Sequence, residues 1–166
     1  MSERTLIELL YGKGAHANPV ACVEDLSADL AGRTAGGFPH STWQLLSHMN
    51  YWMDYEIQRI AGHPPPYPEH AAGSWLPDSA PPNETLWTGA VARFRNLLET
   101  LAGIAQSDPQ ELSREIQATH PQQAQSSSVR AILWQTMAHN TYHIGQIAML
   151  RRCLDAWPPR AGGDTW

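Results

Sequence analysis

The sequence predicts an all-α protein, folded as a bundle of four long helices with a short additional helix. Apolar residues recur at helical spacing in several long segments, and most of these segments begin at a residue that caps helices. No segment shows the alternation of apolar and polar residues that is typical of a half-buried strand. The chain has 166 residues, of which 42% are hydrophobic, so we expect residues 1–166 to form one domain with its own core.

Two helices are predicted before the second main helix of the bundle. The first covers residues 3–12 and ends at Gly12. The second begins at the Asn18-Pro19 pair, which is typical of an N-cap followed by proline in the first turn, and stops at Gly32.

The next helix is predicted over residues 41–60. Ser41 and Gln44 have the spacing of a capping box, and Gly62 with the prolines behind it ends the helix. One face of this helix, about 80° wide, is aromatic and includes a histidine: it carries Leu45, His48, Trp52 and Tyr55.

Residues 62–82 are rich in proline and therefore cannot form a helix. An extended chain of this length can run back along the whole bundle, so the helices on either side could be parallel. We expect Tyr67 and Trp75 to hold this crossover against the helices, and the alternative is a surface loop without fixed contacts.

The remaining helices follow this crossover. Asn83 is the predicted N-cap of a long helix, and the Asp108-Pro109 pair predicts the start of a short helix over residues 109–116. Residues 120–128 are polar and predict a loop. The last long helix is expected to be capped near Ser126 or Ser127 and to end before the Trp157-Pro158-Pro159 run.

Composition excludes some classes of function. The chain has 16 acidic and 11 basic residues and a net charge of -5, so binding to nucleic acid is disfavoured. No leader peptide and no apolar run long enough to cross a bilayer is visible, which predicts a cytoplasmic protein without membrane contact. Cys22 and Cys153 are expected to be free thiols.

His139 and His143 lie four residues apart in the longest apolar helical segment, and therefore on one face of the helix. Two imidazoles so placed can bind one metal ion, although buried histidines that hydrogen-bond to their neighbours remain the alternative. The residue after the first histidine is Asn140, where HExxH proteases have their catalytic glutamate, so the sequence argues against such a protease.

A metal site that performs chemistry needs about three protein ligands and an open position. His48 is the best third candidate because it lies within a strong amphipathic helix. The other histidines lie in loops or at helix boundaries and are expected to be solvated, although His63 or His70 could approach from the crossover: His16, His40, His63, His70 and His120.

Three neutral imidazoles would leave the charge of a divalent ion uncompensated, so the site could produce either hydroxide or thiolate at neutral pH. An all-nitrogen site suits zinc, nickel, copper or iron. The residues expected around the metal or in contact with substrate lie on the same two helices: Gln146, Tyr142, Asn140, Trp52 and Tyr55.

Three parts of the chain together resemble the DinB/YfiT-like family: residues 41–49, residues 138–147, and the paired arginines followed by the Trp-Pro-Pro ending. The resemblance implies a four-helix bundle of up-down-down-up topology with a long crossover between its second and third helices. It also implies a homodimer, and a divalent metal, nickel or zinc, on three histidines that match His48, His139 and His143. Some relatives carry a basic residue after the last histidine, where this chain has Ile144.

The best-understood members of that family are thiol transferases that use bacillithiol or mycothiol, including the mycothiol-dependent maleylpyruvate isomerase. The resemblance therefore implies a thiol S-transferase that activates a low-molecular-weight thiol as a metal-bound thiolate and acts on a small molecule. Two alternatives stay open: a metal-dependent hydrolase that uses bound hydroxide, and a non-enzymatic bundle that binds a metal or ligand.

Overall fold

The computed structural model describes residues 3–121 and 126–163 and confirms an all-α bundle. Helices α1, α2 and α3 form the N-terminal part of the chain, and α4, α5 and α7 are its long helices. The elements are α1 (Glu3–Leu10), α2 (Ala21–Glu24), α3 (Ala28–Ala31), α4 (Thr42–Ile60), a 3-10 helix (Ala71–Ser74), α5 (Glu84–Ala105), α6 (Pro109–Ser113), β1 (Glu115–Gln117), β2 (Ser126–Ser128) and α7 (Val129–Cys153).

The chain between Asn18 and Gly32 differs from the single helix that the sequence predicts. It forms the two short helices α2 and α3, and the break falls at residues 25–27. Ser27 caps α3 by accepting a hydrogen bond from Leu30 N, while Asp25 turns away to pair with Arg151. A tertiary ion pair and a local cap therefore interrupt a pattern that is helical by spacing alone.

The capping box of α4 is present as predicted. The hydroxyl of Ser41 accepts from Gln44 N at 3.2 Å, and Gln44 Oε1 accepts from Ser41 N at 3.1 Å. Together they satisfy two of the backbone N–H groups that the start of a helix leaves free.

Helices α4 and α5 run parallel, which is the arrangement of the middle pair in an up-down-down-up bundle. The residue numbers of the contacts increase together along both helices. Trp43 lies against Trp87, Asn50 Nδ2 donates to the Ala90 carbonyl at 3.0 Å, and Asp54 pairs with Arg93 at 3.0 Å. Parallel neighbours need a connection as long as the helices themselves, and the crossover provides it.

The core lies between the long helices and the N-terminal elements. Its largest fully buried side chains are mostly leucine, methionine and aromatic residues: Trp87, Tyr55, Phe94, Leu45, Leu46, Met49, Met53, Leu98, Leu101, Leu112, Ile132 and Leu133. Burial of each such side chain contributes roughly 1.5–3 kcal/mol, which positions α4 and α7 firmly against each other.

A two-stranded antiparallel sheet was not predicted from the sequence. Strand β1 pairs with β2, with Ile116 opposite Ser127, so Ile116 belongs to a strand and not to the short helix. Helix α7 is consequently capped by Ser128, one residue later than predicted, and its hydroxyl accepts from Ala131 N. The predicted polar loop includes residues 122–125, which lie outside the described residues.

The proline-rich crossover is held by aromatic contacts, as expected. Tyr67 stacks on His120 with ring centroids 4.5 Å apart and also contacts Trp52, while Trp75 stacks on His48 at 3.8 Å. Among the described helices, none combines the length and the hydrophobicity that a membrane-spanning segment requires.

Near the C-terminal end of α7, Arg151 is 3% exposed and bonds to three partners around it. Its Nε donates to the Ala156 carbonyl at 2.9 Å, and its Nη1 donates to the Cys22 carbonyl and to Asp25 Oδ1, both at 2.8 Å. Asp25 Oδ2 in turn accepts from Arg160 N at 2.8 Å. This cluster ties the last helix to α2 and to the C-terminal segment. Cys22 is buried and Cys153 exposed, and both are free thiols.

Candidate metal centre

The three histidines predicted as a group converge on one point between α4 and α7. The Nε2 atom of His139 lies 3.1 Å from Nε2 of His48 and 3.1 Å from Nε2 of His143. One ligand atom from each residue lies within 4.8 Å of the other two. His48 and His139 are 91 positions apart in the chain, so only the packing of α7 against α4 brings them together.

Helix geometry explains how α7 contributes two of the rings. Residues four apart lie one turn from each other, and the rings of His139 and His143 meet nearly at right angles with centroids 4.5 Å apart. His143 is only 5% exposed and His48 7%, while His139 is half-buried. The group therefore lies at the edge of the core, within reach of a small ligand.

The outer nitrogens of two of these rings have partners that decide where each proton lies. His143 Nδ1 lies 2.7 Å from Gln146 Oε1, which can only accept, so His143 carries its hydrogen on Nδ1. His48 Nδ1 lies 3.1 Å from Ser74 Oγ and 3.4 Å from the Ser74 carbonyl, which also only accepts. Both rings therefore direct an unprotonated Nε2 at His139.

Burial keeps these rings neutral. Burial first, and then the charges that His139 and His143 would carry, together lower the pKa of His48 to about 4. Burial and then His143 lower the pKa of His139 to about 4, and burial also lowers the pKa of His143 against the opposing hydrogen bond to Gln146. Neutral imidazoles are the form that binds a metal, and these three are neutral at pH 7.

The donor set fits a metal ion. His139 Nε2 can carry one hydrogen, and that hydrogen can point at the Nε2 atom of only one of the other two histidines. In at least one of the two contacts, the lone pairs of both nitrogens therefore face each other with no proton between them. Such an arrangement is unfavourable in a buried site unless a cation or a hydrogen-bond donor lies between the nitrogens, and a metal ion meets this requirement. Ligands about 2.1 Å from a shared ion lie at most about 4.2 Å apart, and two of the three separations are well within that limit.

A family model for mycothiol-S-transferases matches residues 15–156, which include all three histidines and the crossover. The chain belongs to the mycothiol-S-transferase family. This confirms the resemblance to DinB/YfiT-like proteins. Neither the curated proteins nor the solved structures contain a match to the chain.

Three further residues of α7 were predicted to surround the site in this family member. Gln146 contacts His143 directly, and its Nε2 donates to the Tyr142 hydroxyl at 3.4 Å. Tyr142 lies beside His143 with centroids 5.1 Å apart and is 64% exposed. Asn140 is close enough to His139 to oppose the lowering of the His139 pKa. Neither polar atom of the buried Asn140 amide has a hydrogen bond of good geometry to any residue that the structure describes.

Two residues of α4 were predicted to lie near the site as well. Trp52 approaches His48 edge-on, with centroids 6.4 Å apart. Tyr55 lies one turn further away and is fully buried, and its hydroxyl bonds to Thr119 Oγ1 at 2.8 Å. Trp52 therefore borders the histidine group, whereas Tyr55 packs behind Trp52 and Tyr67.

Sequence reasoning missed the contribution of the crossover and of His40. Ser74 contacts Nδ1 of His48, and Trp75 covers the ring face of His48. His40 was expected to be solvated but stacks on the other face of Trp75, with centroids 3.9 Å apart. His63 and His70 do not join the group among the described residues. The side chains of a proline-rich loop have no sequence period, so no pattern could have assigned Ser74 to the site.

Proposed function

We propose that this protein is a metal-dependent thiol S-transferase whose metal is held by His48, His139 and His143. The convergence of three neutral Nε2 atoms on one point is the observation that carries the proposal. Membership of the mycothiol-S-transferase family supports a thiol as the substrate to be activated and a small molecule as its acceptor.

A bound divalent ion supplies positive charge that lowers the pKa of a thiol from its free value of about 8.5. The neutral histidines contribute no negative charge, so they leave the positive charge available to the thiol. No carboxylate belongs to the group among the described residues, which distinguishes it from sites that pair a metal with a carboxylate base.

The protein's own residues hold and shield the reacting groups. Gln146 and Ser74 keep two Nε2 atoms directed inward, and Trp75 and Trp52 exclude water from the ring of His48. In the reaction the thiol loses its proton to solvent, and its sulfur forms a bond to an electrophilic carbon of the acceptor. A group displaced from that carbon leaves with the electron pair of its bond. The exposed Tyr142 marks the side from which both substrates would reach the site.

Nickel and zinc are the proposed metals because an all-nitrogen donor set suits both. The proposal includes bacillithiol or mycothiol as the thiol, a cytoplasmic location and a homodimer. The side chain of Met149 is exposed on α7 and offers an apolar contact for a second copy. Light scattering on the purified protein tests the dimer directly.

The test uses protein purified without a histidine tag and supplied with zinc or with nickel. We expect bound metal at a stoichiometric level by elemental analysis. We also expect consumption of a model electrophile that depends on added mycothiol or bacillithiol. Turnover of esters or amides without thiol would instead favour the hydrolase, and bound metal without any turnover would favour a non-enzymatic bundle. Protein that binds neither ion would refute the proposal.

A further inference from the structure

The last part of the crossover is fastened to the beginning of α4. The two capping-box residues of α4 use their remaining hydrogen-bonding groups for this purpose. Ser41 Oγ donates to the Ser79 carbonyl, and Gln44 Nε2 donates to the Leu76 carbonyl at 2.9 Å. Both donating residues are buried, so these bonds are partly shielded from water. The crossover is therefore held in one position relative to the helix that carries His48.

This anchoring brings two consecutive crossover residues onto His48. Ser74, which is 6% exposed, approaches Nδ1 of His48 with both its hydroxyl and its carbonyl oxygen. The indole of Trp75 lies 3.8 Å from the His48 ring and only 9° from parallel to it. The same indole meets His143 edge-on, with centroids 5.8 Å apart.

The two contacts restrict different motions of the His48 ring. Rotation of the ring out of its plane would drive its atoms into the face of Trp75, which is supported from behind by His40. A half-turn about the Cβ–Cγ bond would put Cδ2 in the place of Nδ1 and Cε1 in the place of Nε2, and it would break the bonds to Ser74. A shift of the proton from Nδ1 to Nε2 would remove the hydrogen that Nδ1 donates to Ser74 in a buried place, which is unfavourable.

We propose that Ser74 and Trp75 are positioning residues that fix His48 as an Nε2 ligand, so that the crossover is part of the metal site. This inference rests on the proposed function, because it assumes that His48 is a ligand. Outer partners of ligating histidines usually affect metal affinity by about 10–100-fold. An ordered crossover would thus be a condition of tight metal binding.

The first test measures the His48 tautomer in metal-free protein, by nitrogen NMR of the histidine rings. In the unaltered protein we expect the proton on Nδ1. Ser74→Ala keeps the carbonyl contact at 3.4 Å but loses the shorter hydroxyl contact at 3.1 Å, so we expect a measurable population with the proton on Nε2. Ser79→Ala is the matched control, because the exposed Ser79 contributes only its backbone carbonyl to the anchoring. An unchanged tautomer in Ser74→Ala would overturn the role of Ser74.

The second test measures zinc affinity by competition with a chelator of known affinity. We expect Ser74→Ala to bind zinc about tenfold more weakly than Ser79→Ala, with equal helix content by circular dichroism. Trp75→Leu should also weaken binding about tenfold, and Trp75→Phe, which keeps a flat ring against His48, should recover part of the loss. Equal affinity in Trp75→Leu and the unaltered protein would overturn the role of Trp75.

The two tests also separate this inference from the proposed function. If the unaltered protein bound no zinc or nickel, the proposed function would fail, whereas the tautomer experiment would still decide whether Ser74 positions His48. If the unaltered protein bound metal and both Ser74→Ala and Trp75→Leu bound it equally well, only the present inference would fail. Should Ser74→Ala not fold, the Trp75 pair of variants decides the question by itself.

Discussion

Helix α7 carries two buried polar clusters that differ in how they are satisfied. Near its C-terminal end, the guanidinium of Arg151 donates to two carbonyls and to the carboxylate of Asp25. In its middle, the nitrogens of three histidines face one another without enough hydrogens to fill the contacts between them. The first cluster is complete within the protein, and the second is not.

The difference indicates different purposes for the two clusters. A buried charge with matched partners contributes to one defined arrangement of helices, and removing one partner leaves the other unpaired. A buried group of lone pairs without donors has an unmet requirement for a cation. Substitutions in the first cluster should therefore change stability, whereas substitutions in the second should change binding and activity.

The largest effect on function is expected from His143→Ala. The substitution removes one of three donors, so the metal content should fall to the background of the buffer and thiol transfer should fall roughly 100-fold or more. The free energy of unfolding of the metal-free protein should fall less than in Arg151→Ala, because relief of the facing lone pairs offsets part of the packing and of the Gln146 hydrogen bond that are lost with the ring. Elemental analysis, a thiol-transfer assay and chemical denaturation measure the three quantities. Retention of metal by His143→Ala would contradict the assignment.

Arg151→Ala should have the opposite profile. It leaves the 12% exposed carboxylate of Asp25 without its cation and should lower the free energy of unfolding by about 3–5 kcal/mol. The folded fraction should still bind metal, since Arg151 does not touch the histidines. Arg152→Ala, an exposed neighbour on the same helix, is the control. Equal stability of the two variants would show that the Arg151 cluster is dispensable.

Gln146→Ala should have an intermediate effect. The variant removes the acceptor of the His143 Nδ1 proton, and the metal affinity should fall by about 10-fold. Gln135→Ala, at an exposed position of the same helix, provides the matched comparison. Titration with zinc in the presence of a competing chelator measures both variants, and equal affinities would remove Gln146 from the site.

The smallest effect is expected in the acid range. Burial acts to raise the pKa of Asp25, but hydrogen bonds from Arg151 and from Arg160 N, with the charge of Arg151, lower it below the ordinary value of 3.8. Unfolded chains therefore bind this proton more readily. The contribution of the ion pair to the free energy of unfolding should be fully present above pH 3.8 and should decline as the pH falls below that value.

Asp25→Asn tests this dependence, because it has no carboxyl group to titrate at this position. Below pH 3.8, its unfolding free energy should decline less steeply with falling pH than that of the unaltered protein. Denaturant unfolding at a series of acidic pH values measures the two slopes. Identical slopes would mean that Asp25 does not contribute to acid unfolding.

Local signals in the sequence predicted the long helices well. The capping box at Ser41 and the cap at Asn83 stand at the starts of α4 and α5, because caps act within one turn of the chain. The pairing of β1 with β2 could not be foreseen, since three serines and one buried isoleucine give no alternation to detect. The break after α2 depends on Arg151, more than a hundred residues away.

The residues of the candidate site also divide into those that the sequence predicts and those that it does not. His139 and His143 share a helix face, and His48 lies on a face of regular period, so a period-based argument could bring all three together. Ser74, Trp75 and His40 approach from irregular segments, where side-chain direction depends on tertiary contacts. Whether the three histidines are ligands stays a prediction until metal is measured.

The 91 positions between His48 and His139 have a consequence for the order of events during biosynthesis. A ribosome-bound chain that has been translated only as far as α6 could offer an incoming ion the imidazole of His48 but neither of the two on α7. Metal loading would then follow translation of the final helix, and an ion chelator present only during synthesis should not prevent later activation of the finished protein.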